Sequence, residues 1–363
     1  MKFKFEPQFK GSSVQGFNRI LFGVLFLTLE LLNPLNLEQG FAQANFYQGK
    51  TIRIVVGLTP GGFCDRGARL LARGMPLYIR GNPNFVVQNM AGAGSMIAMN
   101  HIYGVAKADG LTLGMPNYGV YLDQLAGRKE VRFDVTKMFY IGSPEKSDIV
   151  LYARADAPFK TVQEMRKLPE PPKCGASGTA SADYLIAKVL EDTLGVKINS
   201  VVGYAGGSEI DIAVEKGEVL CRGMTIAPHF GREPFDSWHK KNFDRHIVQT
   251  AEKRDPRIGD VPTLYEIFEK ENTADESRRV ADVILRGGDF GRPMLVGPGT
   301  PVDRVNMLRE AYVKSMNNPE LIAEAKKTRM DMEPVTGEQL QALAKRVMNQ
   351  PPAVLKRVRK ILE

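Results

Sequence analysis

One unit recurs along this chain: a short β-type run, a loop of small residues, then a helix-type run. The loops are "TPGGFCD" (59–65), "MAGAGS" (90–95), "GASGTAS" (175–181) and "GYAGGS" (203–208). Strands that alternate with helices pair in parallel through crossover helices, so the repetition commits the chain to an α/β architecture. In such sheets ligands bind outside the carboxyl ends of the strands. Glycine lets the backbone approach a ligand closely, and the unsatisfied N–H groups of a helix start favour negative charge. Turn sterics alone explain one such loop. Four of them, two in each proposed domain, predict a shared cleft for an anionic ligand.

The remaining pattern supports that architecture. Helix-type runs cover residues 65–80, 95–106, 162–167, 182–194, 208–216 and 301–317. Thr161 with Glu164 three residues later reads as an N-cap, and Thr300 with Pro301 reads as another helix start. Two C-terminal helices flank Pro351-Pro352; Leu340, Leu343 and Val347 mark a packing face on one, and Leu355, Val358 and Leu362 on the other. Breaks near 144–147 and 251–256 flank a central segment. The expected division is residues 45–146 for a first domain, 147–252 for a second, and 253–363 returning to the first and adding the C-terminal helices.

The N-terminus reads as an export signal, residues 1–44. Lys2, Lys4, Lys10 and Arg19 precede the apolar run "ILFGVLFLTLELL", and Ala42 and Ala44 in "FAQA" have the small-residue spacing of a cleavage site. The run is short for a membrane span and contains Glu30. The expectation is a periplasmic protein whose mature chain starts near Asn45. The formal net charge is +8; loss of those four cations with Glu6, Glu30 and Glu38 leaves +7, so the basic excess belongs to the folded part. Basic residues are scattered among acids rather than clustered with aromatics, which argues against a nucleic-acid partner. The excess raises the local concentration of small anions instead. Of three cysteines, Cys174 and Cys221 fall in strand-like segments where they can be neighbours, while Cys64 sits beside the first glycine loop.

Motifs for other chemistry fail. "GAGSMI" places Ile97 where a dinucleotide fingerprint needs its third small residue, and no phosphate-loop motif occurs. His101, His229, His239 and His246 lack the spacing of a helical zinc motif, so no metal and no cofactor are expected. "GASGT" has Thr179 where a nucleophile elbow needs glycine. Cys64 as the nucleophile of an exported hydrolase is the alternative enzymatic reading. Asp65, at a helix start, is expected to cap or orient its loop, since a carboxylate there repels an anionic ligand.

The mature region resembles the solute-binding receptors of tripartite tricarboxylate transporters, the Bug family. The resemblance runs in order through "YQGKTIRIVVGLTPGGFCDRGARLLARGM", "VVQNMAGAGSMIAMNHIYGVAKADGLTLG", "VVGYAGGSEIDIAVEKGEV", "DVPTLYEI" and "GPGTPVDRVNMLREAYVKSMNNPEL". It implies a two-domain class II periplasmic-binding-protein fold, each domain a mostly parallel sheet flanked by helices, that closes on an organic carboxylate. It also implies a monomer, with no catalysis and no cofactor, that delivers its ligand to a large and a small membrane permease subunit. A ligand sensor for a membrane signalling partner would carry the same pocket. Matched position by position, the ligand-contacting residues would be Gly61, Gly62, Phe63 and Cys64; Gly92, Ala93, Gly94 and Ser95; Gly178, Thr179 and Ser181; and Ala205, Gly206 and Gly207. Two stretches depart from the family pattern, Phe63-Cys64 and "CRGMTIAPHF" (221–230). Both fall where the body of a ligand would lie, and Phe63 there favours an apolar or aromatic one.

Overall fold

The computed structural model describes residues 46–146, 148–178, 181–204 and 207–362. The expected export segment lies outside them. Among the described residues no helix is long and apolar enough to cross a membrane.

Two sheets form. The first contains β1 (Thr51–Val56), β2 (Asn84–Asn89), β3 (Thr112–Met115), β4 (Phe139–Ser143), β10 (Met294–Val296) and β11 (Val335–Thr336), in the order β11-β4-β10-β3-β1-β2. The second contains β5 (Ile149–Arg154), β6 (Lys173–Ala176), β7 (Asn199–Val202), β8 (Cys221–Thr225) and β9 (Asp244–Gln249), in the order β7-β6-β8-β5-β9. Parallel pairing holds for β1 with β2 and β3, and for β6 with β7 and β8. The sheets are mixed, because β10 and β11 enter the first antiparallel and β5 runs antiparallel to β8 and β9. β5 and β10 are the strands that the chain enters on crossing from one sheet to the other. The parallel pairs carry the small-residue loops.

Helices cover the sheets for reasons visible in their spacing. In α1 (Phe63–Gly74) the buried Cys64, Ala68 and Leu71 recur along one face, continued by Met75 in the following turn, while Arg69 points out. α2 (Met96–Gly104) and α3 (Val120–Leu125) complete the first half of that domain. On the second sheet lie α4 (Val162–Arg166), α5 (Ala182–Leu194), α6 (Gly207–Lys216), α7 (Ile226–Gly231) and α8 (Phe235–Lys241). Thr161 caps α4 as expected, its hydroxyl accepting from the Glu164 N–H at 3.2 Å. The Cys174–Cys221 disulfide joins β6 to β8 at paired positions.

Beyond β9 the chain forms α9 (Leu264–Lys270), α10 (Asp275–Leu285) and the short α11 (Gly287–Phe290), then returns to the first sheet as β10. α12 (Val302–Met316), α13 (Pro319–Lys327), α14 (Gly337–Met348) and α15 (Pro352–Leu362) follow. At α12 the Thr300 hydroxyl turns back to the Gly297 carbonyl at 2.8 Å, so Pro301 rather than Thr300 precedes the helix. α14 buries Leu340, Leu343 and Val347 as its spacing predicts. α15 buries Val354, Val358 and Leu362, with Leu355 half-covered. It packs against α10, which packs against α5, and Arg357 of α15 pairs with Asp192 of α5 at 2.6 Å and Glu276 of α10 at 3.1 Å. The C-terminal helix therefore spans both sheets' helix layers. One continuous apolar cluster runs through them, including Phe290 between Tyr121 and Tyr140.

Candidate functional site

The small-residue loops lie at the carboxyl ends of β1, β2, β6 and β7, where the strand–helix pattern places them. Gly61 and Gly62 lead into α1, whose first residues are Phe63 and Cys64. Gly92, Ala93, Gly94 and Ser95 form the turn before α2. Gly178 and Ser181 precede α5, and Gly207 opens α6. Thr179, Ala205 and Gly206 lie outside the described residues. A Cβ added at Gly61, Gly94, Gly178 or Gly203 would meet no atom within 4 Å, so these loops present backbone to open space.

The first-domain loops are fastened to one another. The Ser95 hydroxyl donates to the Gly57 carbonyl at 2.9 Å and accepts from the Asn117 N–H at 2.9 Å, joining the ends of β1, β2 and β3. Ser95 is fully buried, so its hydroxyl serves the scaffold and does not line the open space. Residue 57 has to be glycine, because a Cβ there would lie 2.4 Å from Ser95 Oγ. All four residues from Gly92 to Ser95 have positive φ, with +44° at Ala93 and +85° at Ser95. Left-handed backbone at a non-glycine residue costs about 1–2 kcal/mol, and such strain clusters where function needs a fixed loop shape.

Asp65 does what its position predicts. Its carboxylate accepts from the Gly61 N–H at 2.9 Å and from the Arg69 guanidinium at 2.9 and 3.1 Å. Burial works against its charge, but Arg69 and the Gly61 amide outweigh it and hold the carboxyl below its usual range. No side chain caps α1 at Gly62 or α5 at Ser181, where the Ser181 hydroxyl bonds backward to the Gly178 carbonyl at 2.5 Å. Each helix start carries an acid in its first turn instead, Asp65 in α1 and Asp183 in α5, which partly offsets the positive end of its dipole.

Charged side chains stand behind these loops. Arg292 pairs with Glu145 at 3.0 Å, both buried. They join the two crossings between the sheets: the Ser143 hydroxyl accepts from the Arg292 N–H at 2.7 Å and donates to the Glu145 carbonyl at 2.8 Å. Gly291 allows this approach, since a Cβ there would fall 1.7 Å from the Glu145 carbonyl oxygen. In the second domain the buried Arg222 bonds the Gly207 carbonyl at 3.0 Å, pairs with Asp211, and lies 3.7 Å from Asp183 in the first turn of α5. Arg232 completes this group at 2.8 Å from Asp211. Each cluster balances its own charge.

Tyr118, just past β3, packs against the apolar cluster that runs through both sheets and lies close to Gly287. Burial raises its hydroxyl to about 12, Arg292 pulls it down, and Asp183 of the second domain pushes it up, with Cys64 and Asp148 adding to the rise. The sequence reading did not include Arg222, Arg292, Glu145, Asp183 or Tyr118. One signal was available: an arginine inside the otherwise strand-like "VLCRGMT", in a stretch that departs from the family pattern.

Cys64 is buried, and burial raises its thiol; Arg292 opposes this, while Glu145 and Asp65 reinforce it. A thiol held protonated, with no histidine among the groups that shift it, is a poor nucleophile. The histidines do not form the scattered set expected from their spacing. His101 lies on α2, but His229, His239 and His246 converge on Asp244 in the second domain. No single-helix spacing marks them, because the three imidazoles come from separate elements.

A family model described as the tripartite tricarboxylate transporter family receptor matches residues 68–361. The chain is 29% identical over 325 residues to the Cupriavidus necator UPF0065 protein in gbd 5' region, covering 87% of this chain and 90% of that one. A TctC solute binding protein from Polaromonas superposes with a TM-score of 0.64 at 20% identity, over 87% of this chain and 99% of that one. R. palustris Rpa4515 with adipate gives 0.62 at 19% identity, over 86% of this chain and 97% of that one. The structural likenesses carry the two-domain α/β fold.

Proposed function

The chain belongs to the tripartite tricarboxylate transporter receptor family, and from that premise we propose that it is an exported receptor for an organic carboxylate. It would bind its ligand between the domains, close on it about the chain crossings at residues 144–146 and 286–293, and deliver it as a monomer to a large and a small permease subunit in the membrane. The observation that carries this reading is the set of small-residue loops before helix starts in both domains, whose backbone faces open space at Gly94 and Gly178. Backbone N–H groups of such loops favour the carboxylate ends of a dianion, while Asp65, which holds the Gly61 N–H, fixes the shape of the first loop. The buried arginines are neutralised by Glu145, Asp183 and Asp211, so they stiffen the walls and leave the anion to the backbone. A di- or tricarboxylate or an aromatic acid fits this arrangement. Adipate in the R. palustris protein is consistent with two carboxylates spaced by an apolar body, and Phe63 beside the first helix start favours the same shape.

The test is thermal unfolding of untagged protein against a panel of aliphatic, hydroxylated and aromatic carboxylates, followed by calorimetric titration of those that stabilise. A ligand at 100 times its Kd adds about 2.7 kcal/mol of stability, which is readily seen. A panel in which no carboxylate shifts the transition would sink the proposal. Trp238 is a poor reporter for this experiment, because it packs inside the second domain with Phe235 and Phe243.

A further inference from the structure

We propose that His229, His239, Asp244 and His246 form a four-coordinate transition-metal site, built for zinc, in the second domain. Three separate elements supply the ligands. Asp244 and His246 are two residues apart on β9, so their side chains leave the same face of the sheet. His239 comes from α8, which ends at Lys241; the left-handed Asn242 turns the chain directly into β9 and folds the helix back over it. His229 comes from α7 at the end of β8 and reaches across the intervening β5, where its ring stacks on Tyr152 with centroids 4.9 Å apart.

The donor atoms define a small tetrahedron. His229 Nε2 lies 2.8 Å from His246 Nε2, 3.2 Å from His239 Nε2 and 3.2 Å from Asp244 Oδ2. Asp244 Oδ2 lies 3.3 Å from His239 Nε2 and 3.7 Å from His246 Nε2, and all four atoms fall within 4.8 Å of one another. Zinc bonds of about 2.0–2.1 Å in a regular tetrahedron give ligand–ligand edges of about 3.3 Å. The five distances above bracket that value. The set as it stands is also smaller than any side chain or backbone group could fill, so only an ion fits at its centre.

Hydrogen bonds alone leave the cluster unsatisfied. A neutral imidazole nitrogen carries either one proton or one lone pair, so His229 Nε2 can serve only one of its three neighbours. Both Asp244 oxygens are buried without a hydrogen bond of acceptable geometry, as is His229 Nδ1. The Asp244 side chain is 1% exposed and that of His229 0%. A buried carboxylate aimed at three imidazole nitrogens is the environment of a cation. Imidazole donors select zinc and its transition-metal neighbours over calcium or magnesium. Four protein ligands leave no open position, which marks a structural rather than a catalytic ion. His239 and His246 remain partly exposed and give an entry path, while Phe230 lies against both rings at 4.8 and 5.8 Å. The ion would tie α7, α8 and β9 into one unit. It would hold the end of β8, where the Ile226 N–H meets the Asp148 carbonyl at 2.8 Å beside the crossing between domains.

The experiment uses untagged full-length protein, stripped with chelator and titrated with Zn²⁺ and with Co²⁺. The expected result is one equivalent bound, the intense visible band of four-coordinate cobalt, and a rise in the melting transition on zinc addition. Outer-sphere changes cost about 10–100-fold in metal affinity, so His239→Ala and His246→Ala, which remove ligands, are each expected to weaken zinc at least 100-fold. His101→Ala is expected to change nothing. Both ligand variants sit at partly exposed positions, and their folding is checked by circular dichroism without metal. Zinc affinity equal to that of the His239→Ala/His246→Ala double variant, or cobalt that stays six-coordinate, would overturn the site. Carboxylate titration of the stripped protein is run in parallel, so that failure of the metal site and failure of the receptor reading are read separately.

Discussion

Ser95→Ala separates two roles for one residue. The loop pattern places Ser95 among the ligand contacts, whereas the structure buries its hydroxyl between the Gly57 carbonyl and the Asn117 amide, both at 2.9 Å. Removing that hydroxyl leaves one buried acceptor and one partly buried donor without their partner. Each unsatisfied group costs about 1–3 kcal/mol, and the loop can relax somewhat, so a loss of about 2–4 kcal/mol is expected. With a urea dependence near 3 kcal/mol/M, a loss of 3 kcal/mol moves the unfolding midpoint down by about 1 M. Ser95→Gly is expected to be about 1 kcal/mol milder than Ser95→Ala, because φ at this position is +85° and glycine relieves the left-handed strain. The assay is urea unfolding followed by circular dichroism, with calorimetric titration of whichever carboxylate stabilises the wild type. A midpoint unchanged within about 0.2 M, combined with a tenfold loss of ligand affinity, would refute the fastening role and return Ser95 to the ligand.

Replacing both Cys174 and Cys221 with serine opens a link between residues 47 apart; the chain-entropy relation puts the cost at about 4 kcal/mol, measured by urea unfolding with and without reductant. Asp148 sets a pH dependence. Burial, followed by the neighbouring Asp289, raises its carboxyl to about 7 against the pull of Lys146. The folded state therefore binds more protons than the unfolded chain between about pH 4 and 7, and this group's contribution to stability is lost as pH rises through that window. Asp148→Asn is expected to flatten that slope in melts run from pH 4 to 8; an unchanged slope would mean that the carboxyl is solvated. Cys64, with its thiol raised by burial, is expected to resist a thiol reagent at pH 8 until denaturant is added, and rapid labelling of native protein would contradict the packing around it.

How far the sequence reaches depends on what kind of information a feature leaves in it. The loops before α1, α2, α5 and α6 were legible because each repeats the same local solution, glycine between a strand and a helix start. Thr161 and the faces of α14 were legible because capping and 3.6-residue periodicity are local. Ser95 was legible as part of the loop before α2, but a hydroxyl's partners, here Gly57 and Asn117, are brought near only by the fold. Arg292 left no pattern and Arg222 only its odd place inside a strand-like run, since each is a single cation whose partners lie elsewhere: Asp183 and Asp211 for Arg222, Glu145 for Arg292. The histidine cluster shows the same limit most sharply. His229, His239 and His246 arise from α7, α8 and β9, and no spacing rule for one helix can describe a site assembled across the strand order β8-β5-β9. The stretch that departs from the family, residues 221–230, nonetheless contains both Arg222 and His229. The ion pair and the metal ligand occur together there because β8 lies beside β6 in the sheet and ends at α7. β8 thus supplies the guanidinium behind the small-residue loops, and α7, which follows it directly, supplies the first imidazole of the cluster. A change in ligand preference and a bound ion would therefore be read through the same ten residues.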